Sequence, residues 1–232
     1  MMKAAREERS EDFIELGNFL FEEVEGFKYL GSIISRHSSM TEEIDARIAA
    51  ASKCSWAVKS LLQSRLLTHT TKVQVYVTII RPVATYACEC WPLTQELERR
   101  LLVFEHSILR RILGPVRDEE TGQWRRRHNR ELRDLTHLAP ITSYVRGQRL
   151  RWAGHVARMD PDSLLRRVLD GCPAGRRPRG RPRLRWADCV TSDLTMLGVA
   201  NPQDWMEMAR DRRRWRLLVE AAKDHPGPQL AE

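Results

Sequence analysis

The sequence predicts a mainly α-helical protein with a small β element at its N-terminus, and three observations carry that reading. From about residue 41 onward, apolar residues recur at spacings of three and four. Before that point, FIELGNFLFEEVEGFKYLGSIIS is rich in Phe, Ile, Val and Tyr and is punctuated by Gly17, Gly26 and Gly31. Gly or Pro also stands where several helical patterns stop. With 232 residues and 42% hydrophobic content, the chain is long enough to bury a real core.

In order, two short strands are expected over 13–21 and 27–34. Ile44, Ile48, Ala51, Ser55, Val58 and Leu62 then define a helix over 41–63, with Ser39 or Thr41 as its N-cap. A second helix follows over 70–86, kinked at Pro82. The third starts at Thr94, runs Leu97, Leu101, Phe104, Ile108 and Ile112 along one face, and stops at Gly114-Pro115. Its second apolar line, Leu102, Leu109 and Leu113, implies burial on two sides.

RDEETGQWRRRHN reads as a polar hinge over 117–128, with the candidate domain boundary near residue 120. It separates a 13–116 segment from a basic helical segment over 129–224; a charged leader occupies 1–12 and a tail 225–232. Within 129–224 the expected elements are a short helix after Asn129, a longer one over 140–159, an Arg-Pro loop over 171–185, and a helix over 185–197 closed by Gly198. A final helix takes Asn201 as N-cap and Pro202 at its first position, with Trp205, Met208, Ala209, Trp215 and Val219 on one face.

Charge is uneven along this framework. Residues 1–115 carry 15 basic and 15 acidic side chains, whereas 116–232 carry 24 and 16, so the whole net charge of +8 lies in the second half. Of the 39 basic residues 33 are Arg, whose planar fork suits phosphates and base edges. That balance favours a polyanionic partner. Five cysteines form an odd set without a regular framework, which points to a reducing compartment, and MMKAAREERSEDF is too charged for a signal peptide. The most apolar run, Val75 to Trp91, holds Arg81, Pro82 and Glu89 and reads as a buried helix; no membrane is implied. The expected location is intracellular, nuclear or nucleocytoplasmic. No cofactor and no metal are expected, because Cys88-x-Cys90 lacks a second pair at ligand spacing. His155 has no nearby Cys or Asp partner and reads as a surface or packed histidine.

GRRPRGRPRLRW, Gly175 to Trp186, has six Arg among its residues and no acid, and Pro178 and Pro182 forbid a helix between them. Arg176, Arg177, Arg179, Gly180, Arg181, Arg183 and Arg185 are therefore candidate nucleic-acid contacts. Pro178-Arg179-Gly180-Arg181-Pro182 matches the core of the AT-hook, in which a glycine lets the backbone approach the minor-groove floor while flanking arginines enter it. A general nucleic-acid-binding loop is the other reading.

Taken in order, FKYLGSIIS, EIDARIAAA, KVQVYVTIIRPVATYACECW, RRLLVFEHSILRRILG, RLRWAGHVARM and GRPRLRWADCVTSDL resemble the segment that follows the catalytic palm in reverse transcriptases of non-long-terminal-repeat (LINE-type) retrotransposons. The resemblance runs from about Phe27 to Ala222. It implies a primer-grip hairpin, a helical thumb-like bundle and a helical C-terminal extension. Tyr29, Leu30 and Gly31 would then lie near a primer strand, and Arg47, Lys53 and Lys59 would face a duplex backbone, unless at helical spacing they are simply the solvated side. Trp152, between Arg151 and Arg158, and Trp186, beside Arg185, are read as buried with the arginines outside. The parent family is an RNA-directed DNA polymerase. This sequence, however, has no Tyr-x-Asp-Asp turn to hold two metal ions. The expected role is to grip template-primer or target nucleic acid (RNA, DNA or a hybrid) without catalysis, with a full-length reverse transcriptase as a second candidate partner. The alternatives are a non-enzymatic interaction protein without a specific ligand and an AT-hook-like DNA-binding protein.

Overall fold

A computed structural model describes residues 13–22, 24–35, 40–171 and 184–225. The chain is mainly helical, as its sequence predicts, and divides into two units, 1–43 and 44–232.

In the first unit each expected strand is itself a hairpin. Strands β1 (Phe13–Leu16) and β2 (Phe19–Glu22) pair antiparallel with Leu16 opposite Phe19. Likewise β3 (Gly26–Tyr29) and β4 (Ser32–Ser35) pair with Tyr29 opposite Ser32. The reason is local: Gly17 takes φ 63°, and Leu30 and Gly31 take φ 47° and 89°, the left-handed backbone that two-residue hairpin turns require. Glu43, in the first turn of helix α1 (Met40–Ala57), accepts the Ile33 N–H at 2.7 Å.

The second unit is helical. The helix expected over 41–63 is interrupted at Val58, whose carbonyl accepts from both Leu61 and Leu62, so that α1 gives way to α2 (Lys59–Gln63). Ile44, Ala51 and Leu62 are nevertheless fully buried. Thr68 caps α3 (His69–Val75), which widens into a π-helical turn at Tyr76–Ile80 before α4 (Arg81–Ala84). Pro82 explains the widening. Its ring has no N–H and would clash with the preceding turn; the Arg81 N–H reaches five residues back to the Tyr76 carbonyl, and the bulge takes up what was expected as a kink.

Helix α5 (Gln95–Leu113) follows the sequence reading closely: the Thr94 hydroxyl caps the Leu97 N–H, Gly114 ends it at φ 71°, and both apolar lines are at least half-buried. The polar stretch beyond it carries a small ribbon, β5 (Val116–Arg117) against β6 (Trp124–Arg125), closed by Asp118, whose carboxylate accepts the Glu120 and Thr121 N–H groups. Helices α6 (Asn129–Thr136) and α7 (Ile141–Ala157) match the expected pair. Helix α8 (Leu164–Asp170), capped by the Ser163 hydroxyl, is an element that periodicity did not signal, because none of its side chains is buried.

Helix α9 (Trp186–Met196) is followed by a turn at Pro202–Asp204, α10 (Trp205–Met208) and α11 (Arg212–Asp224). The last expected helix is thus two: the Asp211 carboxylate accepts the Arg213 and Arg214 N–H groups and starts a new one, whereas the Asn201 side chain makes no cap bond. The core of this part joins Leu150 and Ala153 of α7, Val190 and Leu194 of α9, and Trp205, Ala209, Trp215, Val219 and Ala222. Each large side chain buried there contributes about 1.5–3 kcal/mol.

Candidate nucleic-acid interface

Helix α7 organises the basic half, because α5, α9 and α11 all pack against it. Two glycines set how close α11 comes. A Cβ on Gly154 would land on the Trp215 indole, and one on Gly147 would lie 2.6 Å from the Lys223 side chain. The close approach lets Trp215 Nε1 donate to the Leu150 carbonyl at 2.7 Å. On the same inner side, Arg149 is buried against Asp193 of α9 at 2.9 Å, and Arg146 reaches Glu98 of α5 at 3.4 Å. Burial pushes the Asp193 carboxyl up to about 6 against the pull of Arg149 and Arg146. These two arginines are structural ties and are closed to an external partner.

The outer side of α7 is different. Arg151 and His155 are exposed one turn apart, and the half-buried Trp152 ring lies 5.2 Å from the His155 ring. Packed against α7, α11 presents exposed Arg212 and Arg216. The two helices share a field. Glu220 is held below the usual carboxylate range first by its hydrogen bond from Lys223, at 2.8 Å, and then by the charges of Lys223, Arg151 and Arg216. At the other end, burial and the neighbouring Arg212 pull the Arg158 guanidinium down from its usual value. Arg158 itself turns inward and donates to the Ala209 carbonyl at 2.6 Å, so it closes the end of α10. The resulting surface offers Arg151, Arg212 and Arg216 on two packed helices, with the exposed His155 one turn from Arg151.

The other candidate residues are scattered. Arg47 stacks over the half-exposed Tyr86 ring at 4.5 Å; Lys59 lies over the exposed Trp56 ring at 4.6 Å, where Arg111 of α5 also sits at 5.1 Å. Residues 47 and 56 are two and a half turns apart on α1, so these clusters occupy opposite flanks, with Lys53 exposed between them. Tyr29 and Leu30 are exposed at the tip of the β3–β4 hairpin, with Gly31 half-buried beside them. Arg185 is exposed at the start of α9, where its N–H binds the Asp188 carboxylate at 3.0 Å. Trp186 is not available for stacking: its Nε1 donates to the Glu89 carbonyl at 2.7 Å and its ring packs edge-on to Trp205. Arg176, Arg177, Arg179, Gly180, Arg181 and Arg183 lie outside the described residues.

Arg212 and Arg216 were legible as the charge run RDRRRWR, but only the α7 contact makes them part of a surface. Cys88 is buried, and that burial pushes its thiol up to about 12, as befits a small core residue; Cys90, next but one, is exposed. Among the described residues no group of three or more His, Cys, Asp and Glu side chains gathers to hold a metal ion, and no helix is long and apolar enough to cross a membrane.

No family model matches the chain, and no solved structure matches it. It is similar to an uncharacterized transposon-derived protein of Caenorhabditis elegans, 27% identical over 206 residues that cover 85% of this chain and 71% of that protein.

Proposed function

We propose that this chain derives from a retrotransposon reverse transcriptase and grips nucleic acid without performing catalysis itself. The origin rests on the similarity to a transposon-derived protein together with the six ordered motifs from Phe27 to Ala222. The grip rests on one observation above all: exposed Arg151, Arg212 and Arg216 share one surface built by the close α7–α11 packing. Arginines fixed on helices neutralise phosphates without ordering a loop first. The Arg-Pro segment adds charge in the same sequence neighbourhood. In this reading the partner is an RNA, a DNA or their hybrid.

The test is a binding titration against duplex DNA, an RNA hairpin and a template-primer hybrid at several salt concentrations. If roughly five phosphates are neutralised, log K against log salt has a slope of about −3.5 to −4.5. A flat response contradicts the proposal. Primer extension with magnesium or manganese is expected to stay at the level of a protein-free control, because the sequence holds no Tyr-x-Asp-Asp turn. A second reading, a protein-interaction module, draws on the first unit, where Phe19 is 69% and Leu20 73% exposed on a single hairpin.

A further inference from the structure

Trp56 stands on the last turn of α1 with 58% of its surface exposed, in a chain whose Trp91, Trp205 and Trp215 are buried. Its surroundings are cationic. Helix α1 breaks at Val58, and Lys59, the first residue of α2, sets its Nζ over the indole, 4.6 Å from the ring centre. From α5 the Arg111 guanidinium lies 5.1 Å from the same centre. Arg111 is held in place: its Nη1 donates to the Ser55 hydroxyl at 3.2 Å, and that hydroxyl, on a buried residue, donates in turn to the Ser52 carbonyl at 2.8 Å. Lys53, exposed one turn before Trp56 on α1, adds a third positive charge to this flank.

The carboxylates of the same helices are engaged elsewhere. On α5, Glu96 pairs with Arg99 at 2.9 Å, Glu98 with Arg146 at 3.4 Å, and Glu105 accepts from the Tyr76 hydroxyl at 2.7 Å; Asp45 of α1 pairs with Arg100 at 2.8 Å. Among the described residues, no carboxylate pairs with Lys53, Lys59 or Arg111. A cation over a solvent-exposed ring is weakly held, because water solvates both. A ligand that offers anions to the cations and a flat ring to the indole therefore replaces that contact with two better ones. Single-stranded nucleic acid has this chemistry, since each nucleotide carries a phosphate beside a base whose face is open. In a duplex the base faces are closed by their neighbours, and an acidic peptide supplies the anion without the ring.

We propose that Trp56, with Lys53, Lys59 and Arg111, is a stacking platform for a single-stranded stretch of RNA or DNA, one base on the indole and the adjoining phosphates on the three cations. The proposal rests on the nucleic-acid reading above and goes beyond it by specifying an unpaired strand and a surface built by α1, α2 and α5. The resemblance to reverse transcriptases implies a duplex backbone for Lys53 and Lys59; the exposed indole that stands with them selects an open strand instead.

The experiment follows the tryptophan indole N–H signals of the full chain by NMR, with the Trp56 signal assigned from its loss in Trp56→Phe. The probes are a short single-stranded oligothymidine, a duplex of the same length and polyglutamate. The single strand is expected to shift the Trp56 signal saturably, whereas the duplex shifts it little. Trp56→Ala is expected to weaken single-strand binding about tenfold or more and Trp56→Phe much less, with duplex affinity unchanged in both and the other indole signals confirming the fold. An unmoved Trp56 signal while the oligothymidine binds elsewhere overturns the platform and leaves the nucleic-acid reading standing. Equal losses for single strand and duplex in Trp56→Ala overturn it too, as does a Trp56 shift with polyglutamate alone, which would assign this face to an acidic protein segment. No binding of either nucleic acid removes both readings together.

Discussion

The two sides of α7 use the same residue type for opposite purposes. On the inner side Arg146 and Arg149 are 4% and 2% exposed and end on Glu98 and Asp193; on the outer side Arg151 is exposed and, with Arg216 of α11, acts at longer range on the exposed Glu220. An arginine-rich composition therefore does not measure a binding surface. The sign and distance of the nearest partner decide whether a guanidinium holds the fold or faces a ligand.

The largest expected contrast is in stability. Arg149→Ala strands Asp193 in a buried site and is expected to cost about 3–5 kcal/mol in urea unfolding, whereas Arg151→Ala stays within about 0.5 kcal/mol. Equal costs would dissolve the distinction between the two sides. Next in size is Gly154→Ala, which sets a methyl group against the Trp215 indole and so pries α11 from α7; about 1–3 kcal/mol is expected, with Trp215 fluorescence following the change. A neutral Gly154→Ala would mean that the two helices do not need this spacing.

A smaller effect sharpens the comparison through pH. The Asp193 carboxyl is raised to about 6, so its contribution to stability is complete below its unfolded value and is lost as pH rises through about 6. His106, lowered to about 4, acts in the opposite sense: its contribution is complete above its unfolded value and is lost as pH falls through about 4. The two offset one another between about pH 4 and 6. Asp193→Asn leaves the His106 trend, so that stability rises more steeply with pH across this window than in the unaltered chain. Parallel profiles would show that Asp193 ionises as freely in the fold as outside it.

Much of this architecture was legible in the sequence where a local signal suffices. Thr94 and Gly114 bound α5 because a hydroxyl cap and a left-handed terminus are properties of the residues themselves. The sequence reads as single strands where the fold has hairpins, because one of their turns puts Leu30 in a conformation that sequence rules reserve for Gly, Asn or Asp. The break at Asp211 was hidden by an apolar face that continues from Trp205 to Val219 across it. Of the candidate binding residues, Arg151 emerges on a shared surface, while Arg158 is turned to a backbone carbonyl. Nothing within RLRWAGHVARM tells these apart, since their neighbours, Glu220 for Arg151 and Ala209 and Arg212 for Arg158, lie more than thirty residues away in sequence.

In the proposed function the outer α7–α11 surface binds nucleic acid while the inner arginines only hold the fold. The most direct measurement is the salt dependence of oligonucleotide binding, by fluorescence anisotropy, for the unaltered chain and for the combined variant Arg151→Ala, Arg212→Ala, Arg216→Ala. With three phosphate contacts removed, the slope of log K against log salt is expected to become shallower by about 2 to 3, with the urea midpoint unchanged. The same slope and affinity in both proteins would contradict the claim.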